Sequence, residues 1–241
     1  MNVYNIFLSK RENYFGSAQK IKESSKKPVN IIWIEDFIMN DENREKLNGD
    51  VIYFLCNSIL INGLIEYLKG VKCYIFNKRF FEKNYKKLEI QNILRENTIK
   101  TPRILFNPLL NQIKLPIFCK ENKHAGMIFK AYTINTLESF FQKFDIKDFY
   151  LEDPIEGESE TKYYYVRDSI YSKNNIKVTD SVKEYCMKIS KILKLEVFSI
   201  DIIKRNNEYI VIDVNPSAGF YMLDEARNKL LFEFDKIKVQ K

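Results

Sequence analysis

Two neighbouring apolar segments that each contain a carboxylate constrain the fold of this chain more than any other feature. Residues 197–215 read VFSIDIIKRNNEYIVIDVN, with branched apolar runs on either side of Asn206 and Asn207. This pattern predicts a β-hairpin. Asp201 lies within the first run, and Asp213 and Asn215 end the second. An ionised carboxylate in an apolar strand costs several kcal/mol unless it is paired or coordinated, so these side chains need partners.

The length of the hairpin loop decides whether the two carboxylates form one site. A two-residue turn would place Asp201 opposite Ile212 and on the other face from Asp213, whereas a three-residue loop, residues 206–208, would place the carboxylates opposite each other. Opposed like charges destabilise a sheet, so we expect the three-residue loop with a cation between them. Two Asp and one Asn oxygen suit Mg²⁺. Alternatively, Asp213 and Asn215 only cap the strand end and Asp201 bonds a hydroxyl group.

Composition sets broad limits on the function. The 241 residues, 45% hydrophobic and 14% aromatic, suffice for one large core or two modest ones. Apolar runs such as residues 51–55 are too short to span a bilayer, and the first residues lack a secretory signal, so we expect a cytosolic protein without a membrane partner. The four widely spaced cysteines predict buried apolar fillers rather than disulfides or a zinc site.

The net charge of +7 comes from lysines spread along the whole chain. No arginine-rich arm and no aromatic-basic repeat is present in the sequence, so we do not expect a nucleic-acid partner. A solvated basic surface explains the charge, and the alternative is attraction of a polyanion such as a nucleotide or a phosphorylated substrate.

The order of strand and helix patterns predicts a mixed α/β chain. The first third alternates strand, helix and strand, which predicts a small α/β unit with a parallel sheet. A helical pattern from Lys83 stops before Pro102, and a second sheet lies near the carboxyl end. The predicted strands include Val3–Leu8, Asn30–Ile34, Val51–Leu55, Cys73–Phe76 and Arg103–Phe106, and a late helix is predicted over Asp180–Leu193.

Two lysines occupy places suited to binding phosphate. Lys87 lies at the start of the predicted helix, fifteen residues before Pro102, and Lys120 ends the apolar strand LPIFCK and opens a loop. A lysine at a strand end that opens a loop often reaches phosphate. Any single lysine of this lysine-rich chain is more often a solvated surface residue. The indication of a phosphate site therefore comes from the order of the two lysines along the chain.

With these residues in order, the sequence resembles the ATP-grasp enzymes, most closely the glutamate-adding ligases typified by the enzyme that modifies ribosomal protein S6. The resemblance covers residues 77–220. It implies an ATP-grasp fold of two α/β subdomains that clasp ATP, preceded by a small α/β domain. The division it implies is 1–77 for the small domain, 78–154 for the first ATP-grasp subdomain and 155–241 for the second.

The resemblance also implies roles for individual residues. Lys87 and Lys120 match the phosphate-binding lysines. In the segment LEDPI, Glu152 matches the residue near the adenine amino group, with the backbone of Asp153 and Ile155 at the ring edge. The remaining matches are Glu158 or Glu160 for ribose, Asp201, Asp213 and Asn215 for magnesium, Lys162 for phosphate or a substrate carboxylate, and Lys173 for transferred charge.

Family members transfer the γ-phosphate of ATP to a carboxylate and let an amine attack the acyl phosphate. The resemblance therefore implies a ligase that uses ATP and Mg²⁺ or Mn²⁺, with a carboxylate acceptor on an amino acid, peptide or protein and an amine donor. Two departures concern catalysis. The phosphate-covering loop ENKHAG is short, with only Gly126, and the basic segment before the late helix has Lys173 where the family has an Arg. Arg167 occupies the position of a turn glycine, so we assign it no catalytic role.

Two alternatives to a ligase stay open on the sequence. Inositol phosphate kinases of the same superfamily also end a strand in Asp-x-Asn and have a His after the second lysine, as His124 is here. The shortened loops would equally suit a nucleotide-binding pseudoenzyme that recognises a peptide partner without turnover. The requirement for both an acid and an amine in ADP release distinguishes a ligase from either alternative.

Overall fold

The structure is a computed structural model that describes residues 3–105, 113–123, 126–157, 159–221 and 223–239. The strands in this part of the chain are β1 Tyr4–Leu8, β2 Val29–Trp33, β3 Val51–Phe54, β4 Tyr74–Ile75, β5 Ile104–Leu105, β6 Ile117–Glu121, β7 Ile128–Ala131, β8 Phe149–Glu152, β9 Ser159–Val166, β10 Ser169–Ser172, β11 Val197–Arg205 and β12 Glu208–Asn215. The helices are α1 Phe15–Ser24, α2 Asp41–Lys46, α3 Leu60–Tyr67, α4 Lys78–Lys83, α5 Lys87–Glu96, α6 Ile134–Phe141, α7 Asp180–Leu193 and α8 Asp224–Lys236. The predicted strand end at Phe106 lies outside the described residues.

The chain divides into two compact units. The first comprises Met1–Asn84, Lys162–Ile200 and Val214–Lys241, and the second comprises Tyr85–Thr161 and Asp201–Asp213. These boundaries differ from the division at residues 77 and 154, which remains a prediction. The mixed α/β fold class is confirmed.

A parallel sheet of order β2-β1-β3-β4 forms the centre of the first unit. Both β1 and β3 are buried along their whole length, as expected for strands with helices on both faces. Tyr4, Tyr53 and Phe76 contact Phe234 of α8 with ring centroids 5.0 to 5.9 Å apart. The predicted small α/β unit with a parallel sheet is therefore confirmed.

An antiparallel sheet of order β5-β8-β6-β7 organises the second unit. Successive residues of a strand point to opposite faces. Ile117 and Cys119 of β6 therefore join the core formed with Leu137 and Phe140 of α6. The alternate residues of β6 and β8 are available on the other face, and they supply the walls of the site described below.

The hairpin of β11 and β12 has a two-residue turn. β11 ends at Arg205 and β12 begins at Glu208, and Asn206 and Asn207 have φ values of 48° and 63°. Two residues at positive φ match the twist of the flanking strands, and Asn tolerates this region. The predicted three-residue loop is therefore wrong, because the Asn-Asn pair alone provides the favoured hairpin turn.

Helix α7 has the predicted bounds, Asp180–Leu193, between two identifiable ends. At its start, the Thr179 side chain accepts a hydrogen bond from the Val182 backbone N–H at 3.4 Å. At its end, Lys194 adopts the left-handed conformation, with a φ of 56°. Among the cysteines, Cys56, Cys119 and Cys186 are buried as predicted and Cys73 is half-buried. Within the described segments, none of the helices combines the length and apolar character needed to cross a bilayer.

Candidate active site

A cavity of about 480 Å³ lies within the second unit. This volume is within the usual range for small-molecule sites. Its walls combine apolar side chains with cations and carboxylates. The lining residues are Lys87, Phe118, Lys120, Glu121, Lys123, Gly126, Met127, Ile128, Tyr150, Glu152, Ile155, Glu160, Asp201, Ile203, Ile212 and Asp213.

The start of helix α5 presents Lys87 to the cavity. The Leu88 backbone N–H, one of the amides that an α-helix leaves unpaired at its start, donates to Asn122 Oδ1 at 2.9 Å and so ties the helix to the loop after β6. Lys87 Nζ donates to Asp213 Oδ1. The Lys87 side chain is 16% exposed and the Asp213 side chain 37%, so the lysine is shielded from water while the carboxylate remains accessible. Helix and hairpin strand thus bring a cation and a carboxylate together at the cavity wall.

A second pair links β6 and β8. Lys120 lies opposite Tyr150 and Phe118 lies opposite Glu152, which puts all four side chains on the cavity face of the sheet. Lys120 Nζ donates to Glu152 Oε1, and Glu152 is only 2% exposed. Burial raises the pKa of the Glu152 carboxyl, and Asp213 adds to this, while Lys120 and Lys87 oppose it. Glu152 Oε2 has no hydrogen-bond partner among the described residues.

The loop after β6 adds a third cation beside a carboxylate. Glu121 forms an ion pair with Lys123, and its Oε2 accepts a hydrogen bond from the Met127 N–H at 2.9 Å. A Cβ added to Gly126 would lie 2.9 Å from both Glu121 Cβ and the Lys123 carbonyl oxygen, so the short loop needs glycine there for close approach. His124 of the kinase alternative lies outside the described residues.

Asp201 and Asp213 line the same cavity although the hairpin turn has two residues. A regular two-residue turn would pair Asp201 with Ile212, and Ile212 and Asp213 both contribute to the wall. In a regular strand, only one of two successive side chains would face the cavity. The prediction that only a three-residue loop brings the two carboxylates into one site is therefore wrong. The two carboxylates supply the oxygen donors that a hard divalent cation requires.

Asn215 belongs to the first unit and has two hydrogen-bond partners there. Its Nδ2 donates to the Tyr14 hydroxyl at 3.1 Å, and its Oδ1 accepts from the Ser217 backbone N–H at 2.9 Å. Ser217 is itself held by a 2.6 Å bond from its hydroxyl to the Cys56 carbonyl oxygen. The amide orientation is therefore fixed. A carbonyl oxygen has two lone pairs, so Oδ1 keeps capacity for one further interaction.

The other predicted site residues have different positions. Glu160 and Ile155 line the cavity, whereas Asp153 does not; its carboxylate lies 4.0 Å from the Arg103 guanidinium. Lys162 on β9 and Lys173, exposed in the short turn after β10, belong to the first unit and are not wall residues of this cavity. Glu158 lies outside the described residues. No group of three or more His, Cys, Asp or Glu side chains in the described part of the chain is arranged to hold a metal.

Sequence reasoning missed several wall residues that strand alternation could have found. Phe118 and Tyr150 lie two residues before Lys120 and Glu152 on the same strands and therefore on the same face. Burial, together with the negative charges of Glu152 and Asp213, raises the pKa of the Tyr150 hydroxyl far above its ordinary value, so it remains protonated at neutral pH. Met127, Ile128 and Ile203 complete the apolar wall, and no sequence signal identifies them.

Arg167 has a structural environment in the first unit. It has a φ of 35°, and its guanidinium donates to Glu196 Oε1 at 2.6 Å and lies 5.5 Å from the centre of the Tyr74 ring. Burial opposes the charged form, but Glu196 raises the pKa of Arg167 above its ordinary value. These contacts agree with giving Arg167 no catalytic role.

Solved structures of known enzymes share this architecture along nearly the whole chain. One is the ATP-grasp ligase PsnB complexed with the precursor peptide PsnA2 and AMPPNP, with a TM-score of 0.70, 13% identity, and coverage of 97% of this chain and 96% of that chain. The chain has the ATP-grasp fold. D-alanine–D-alanine ligase from Bacillus anthracis complexed with ATP gives the same TM-score at 14% identity, with 97% and 96% covered.

Further comparisons agree with the ATP-grasp resemblance. N5-carboxyaminoimidazole ribonucleotide synthetase from Thermotoga maritima has a TM-score of 0.72 at 15% identity, covering 100% of this chain and 78% of that chain. In sequence, residues 167–230 match the RimK-like ATP-grasp domain. A search of curated proteins finds no relative of the sequence. The resemblance drawn from the order of lysines and carboxylates is thus confirmed for the fold.

Proposed function

We propose that the protein is an ADP-forming carboxylate–amine ligase that uses ATP and a divalent cation, Mg²⁺ or Mn²⁺. The observation that carries this proposal is the presence of two lysine–carboxylate pairs, Lys87–Asp213 and Lys120–Glu152, in the wall of one cavity of about 480 Å³, with each lysine 16% exposed. Support for the type of reaction comes from the ATP-grasp fold and from the ligases that share it.

The walls suit the two ends of a nucleotide. Phe118, Ile155, Ile203 and Ile212 offer apolar contact to the base. Glu152 Oε2, which lacks a hydrogen-bond partner within the described segments, can accept from the exocyclic amino group of adenine. By the resemblance, the Asp153 backbone lies at the ring edge, and Glu160 or Glu158 binds ribose.

Lysines and carboxylates supply the charge that phosphoryl transfer needs. Lys87 and Lys120 are positioned to bind and neutralise phosphate oxygens, because both are held at the cavity wall by ion pairs. Asp201, Asp213 and Asn215 would hold the divalent cation. When bound, such an ion orients phosphates and offsets their negative charge. No protein nucleophile is required, since the chemistry depends on positioning and electrostatics.

The acceptor is a carboxylate of an amino acid, peptide or protein, and the second substrate is an amine. Lys162 and Lys173, which belong to the first unit, are proposed to bind the acceptor carboxylate or the transferred phosphoryl group. Lysine provides charge there without the bidentate geometry of arginine. We propose a cytoplasmic location for this reaction, as expected from the sequence.

ADP release from purified protein over a panel of acids and amines tests this function. We expect release that requires both an acid and an amine, and we expect Lys87→Ala or Lys120→Ala to lower kcat/KM by about a hundredfold or more, as for removal of one preorganised electrostatic contact. Lys86→Ala and Lys143→Ala are matched controls, since neither residue lines the cavity and Lys143 is exposed, and both should retain activity.

Two results would reject the ligase, and a third would reject only its cation site. ADP formed with a polyol phosphate and no amine would identify a kinase. AMPPNP binding that depends on Lys87 and Lys120, without turnover on any acceptor, would identify a pseudoenzyme. Full activity of the double variant Asp201→Asn, Asp213→Asn would reject the proposed cation site while leaving the nucleotide site intact.

A further inference from the structure

A second depression of the second unit is basic and separate from the cavity of the proposed ligase. It is an open groove of about 540 Å³, and we call it the basic groove. Its residues, Arg95, Thr98, Ile99, Lys100, Thr101, Pro102, Arg103, Glu208 and Ile210, share none with the cavity wall. Seven of these nine residues come from the single segment 95–103, so the groove is a local feature built where α5 ends.

Cations form the rim of the basic groove and apolar side chains form its floor. Ile99, Pro102 and Ile210 are buried, whereas Arg95, Lys100 and Arg103 are exposed. The only acidic side chain among the lining residues is Glu208, which forms an ion pair with Lys100. Glu208 and the Asp153 carboxylate beside Arg103 offset part of the charge of these three cations, and the rim keeps a smaller excess of positive charge.

The Arg103 guanidinium is the cation of the rim best able to bind an added ligand. Its side chain is 61% exposed, and its nearest ion-pair partner, the Asp153 carboxylate, lies 4.0 Å away. Arg95, by contrast, donates from Nη2 to the Pro102 carbonyl oxygen at 3.2 Å, which fixes its position across the groove. The fixed Arg95 guanidinium and the exposed N–H donors of Arg103 are suited to binding carboxylates in the bidentate geometry that guanidinium groups favour.

The backbone under the groove is fixed on both sides. The Val211 N–H donates to the Lys100 carbonyl oxygen at 2.8 Å, and the Asp153 N–H donates to the Arg103 carbonyl oxygen at 3.0 Å. Thr98 has a φ of 60°, a region that β-branched residues rarely adopt. This left-handed residue lies just after the end of α5, where the Ile99 N–H donates to the Leu94 carbonyl oxygen at 2.9 Å, so the helix end holds the groove segment in one conformation.

We propose that the basic groove binds an extended acidic segment of a partner polypeptide. The aliphatic floor would contact apolar side chains, and the cationic rim would bind Asp or Glu carboxylates between them, because side chains of an extended chain alternate in direction. Single-stranded nucleic acid is a poorer fit, since bases need aromatic platforms and no aromatic side chain is among the lining residues described for this groove. A free phosphate would use only the cationic rim and would make no contact with the apolar floor.

Fluorescence anisotropy with a labelled peptide of alternating Glu and Val tests the proposal. The titration uses the full-length protein without ATP or divalent cations, so it does not depend on the ligase reaction. We expect binding that weakens as salt is added, and we expect Lys100→Gln combined with Arg103→Gln to reduce affinity about tenfold or more. The double variant Lys143→Gln, Lys147→Gln removes the same charge from exposed positions outside the groove and should bind as the unaltered protein does.

Several results would overturn the proposal. Equal affinity for the matching Gln-Val peptide would exclude carboxylate recognition. Equal loss of peptide affinity in both double variants would show that binding depends only on the net charge of the protein. Oligothymidylate binding through Lys100 and Arg103 in place of the peptide would identify a nucleic-acid surface, and displacement of the peptide by millimolar phosphate would identify a phosphate site. Peptide binding retained by Lys87→Ala separates this groove from the proposed ligase site.

Discussion

Glu152 combines almost complete burial, a lysine partner and an oxygen without a hydrogen-bond partner in the described part of the chain. Burial penalises its charged form, and Lys120 compensates for part of that penalty. Stability does not require such an arrangement, because replacing a whole buried ion pair with well-packed apolar residues can be neutral or favourable. The residue is better explained by recognition of a ligand, which would satisfy the remaining oxygen.

The raised pKa of Glu152 predicts a specific pH dependence of stability. A carboxyl whose pKa is higher in the folded protein than its ordinary value of 4.5 stabilises the fold below that value and loses the contribution as the pH rises through the folded pKa. We therefore expect the unfolding free energy of the unaltered protein, measured relative to Glu152→Gln, to fall as the pH is raised from about 4. Urea unfolding at a series of pH values measures this difference.

Glu156→Gln is the control for the titration of Glu152. It makes the same chemical change four positions away at an exposed residue. Its stability difference from the unaltered protein should not fall in the same way with pH. Identical pH profiles for the two variants would mean that burial of Glu152 does not determine its ionisation.

Sequence alone identified most of the charged residues in the cavity and missed the supporting ones. Lys87 and Lys120 could be found because a helix start and a strand end limit where their side chains point, whereas Glu152 was found through the resemblance of LEDPI to the ATP-grasp enzymes. The Tyr14–Asn215 hydrogen bond could not be found, because the two residues are 201 positions apart and no local pattern connects them. Tertiary contacts of this kind decide how a predicted ligand is oriented.

At the scale of elements, the hairpin of β11 and β12 shows which structural features local sequence patterns can predict. The apolar runs predicted β11 and β12 correctly, and Asn206 and Asn207 correctly indicated the turn. The predicted three-residue loop is wrong, because the pairing of two carboxylates does not determine how the backbone turns between the strands. An Asn-Asn pair at positive φ already satisfies a two-residue turn, so local conformational preference determined the connection.

Gly157, between β8 and β9, packs closely against β11 within the second unit. A Cβ added there would lie 2.2 Å from Ile203 Cγ2 and 2.6 Å from the Lys204 carbonyl oxygen. We expect Gly157→Ala to destabilise the protein by about 1–3 kcal/mol, the usual cost of overpacking. Because Ile203 lines the cavity, AMPPNP affinity should fall as well. Urea unfolding and calorimetric titration measure the two effects.

Gly63→Ala in α3 is the matched control for Gly157→Ala. The nearest heavy atom to its added Cβ, Met39 Cε, is 3.9 Å away, which is ordinary contact. Alanine is a better helix former than glycine, so this variant should gain about 0.5–1 kcal/mol. A similar loss of stability in both variants would show that close packing at Gly157 is not the cause.

At the scale of the whole molecule, the two compact units are not contiguous in sequence. Two chain segments build the second unit, and its cavity wall draws on both of them, residues 85–161 and 201–213. Sequence patterns are read along the chain, so they predicted strands and helices well and could not show which distant segments form one unit. The three-part division at residues 77 and 154 follows chain order for that reason.

Hydrogen exchange with and without AMPPNP tests whether the second unit is the nucleotide-binding part, and Mg²⁺ is left out because Asn215 of the first unit is a proposed cation ligand. Every wall residue of the cavity belongs to this unit, so ligand binding should suppress its opening selectively. At a ligand concentration about 100-fold above Kd, amides of β6 and β8 that exchange by unfolding of the unit should be protected about a hundredfold more strongly. Amides of β1 and β3 in the first unit are the internal reference. Protection gained only by that reference sheet would contradict the assignment, because a ligand can stabilise only the structure to which it binds.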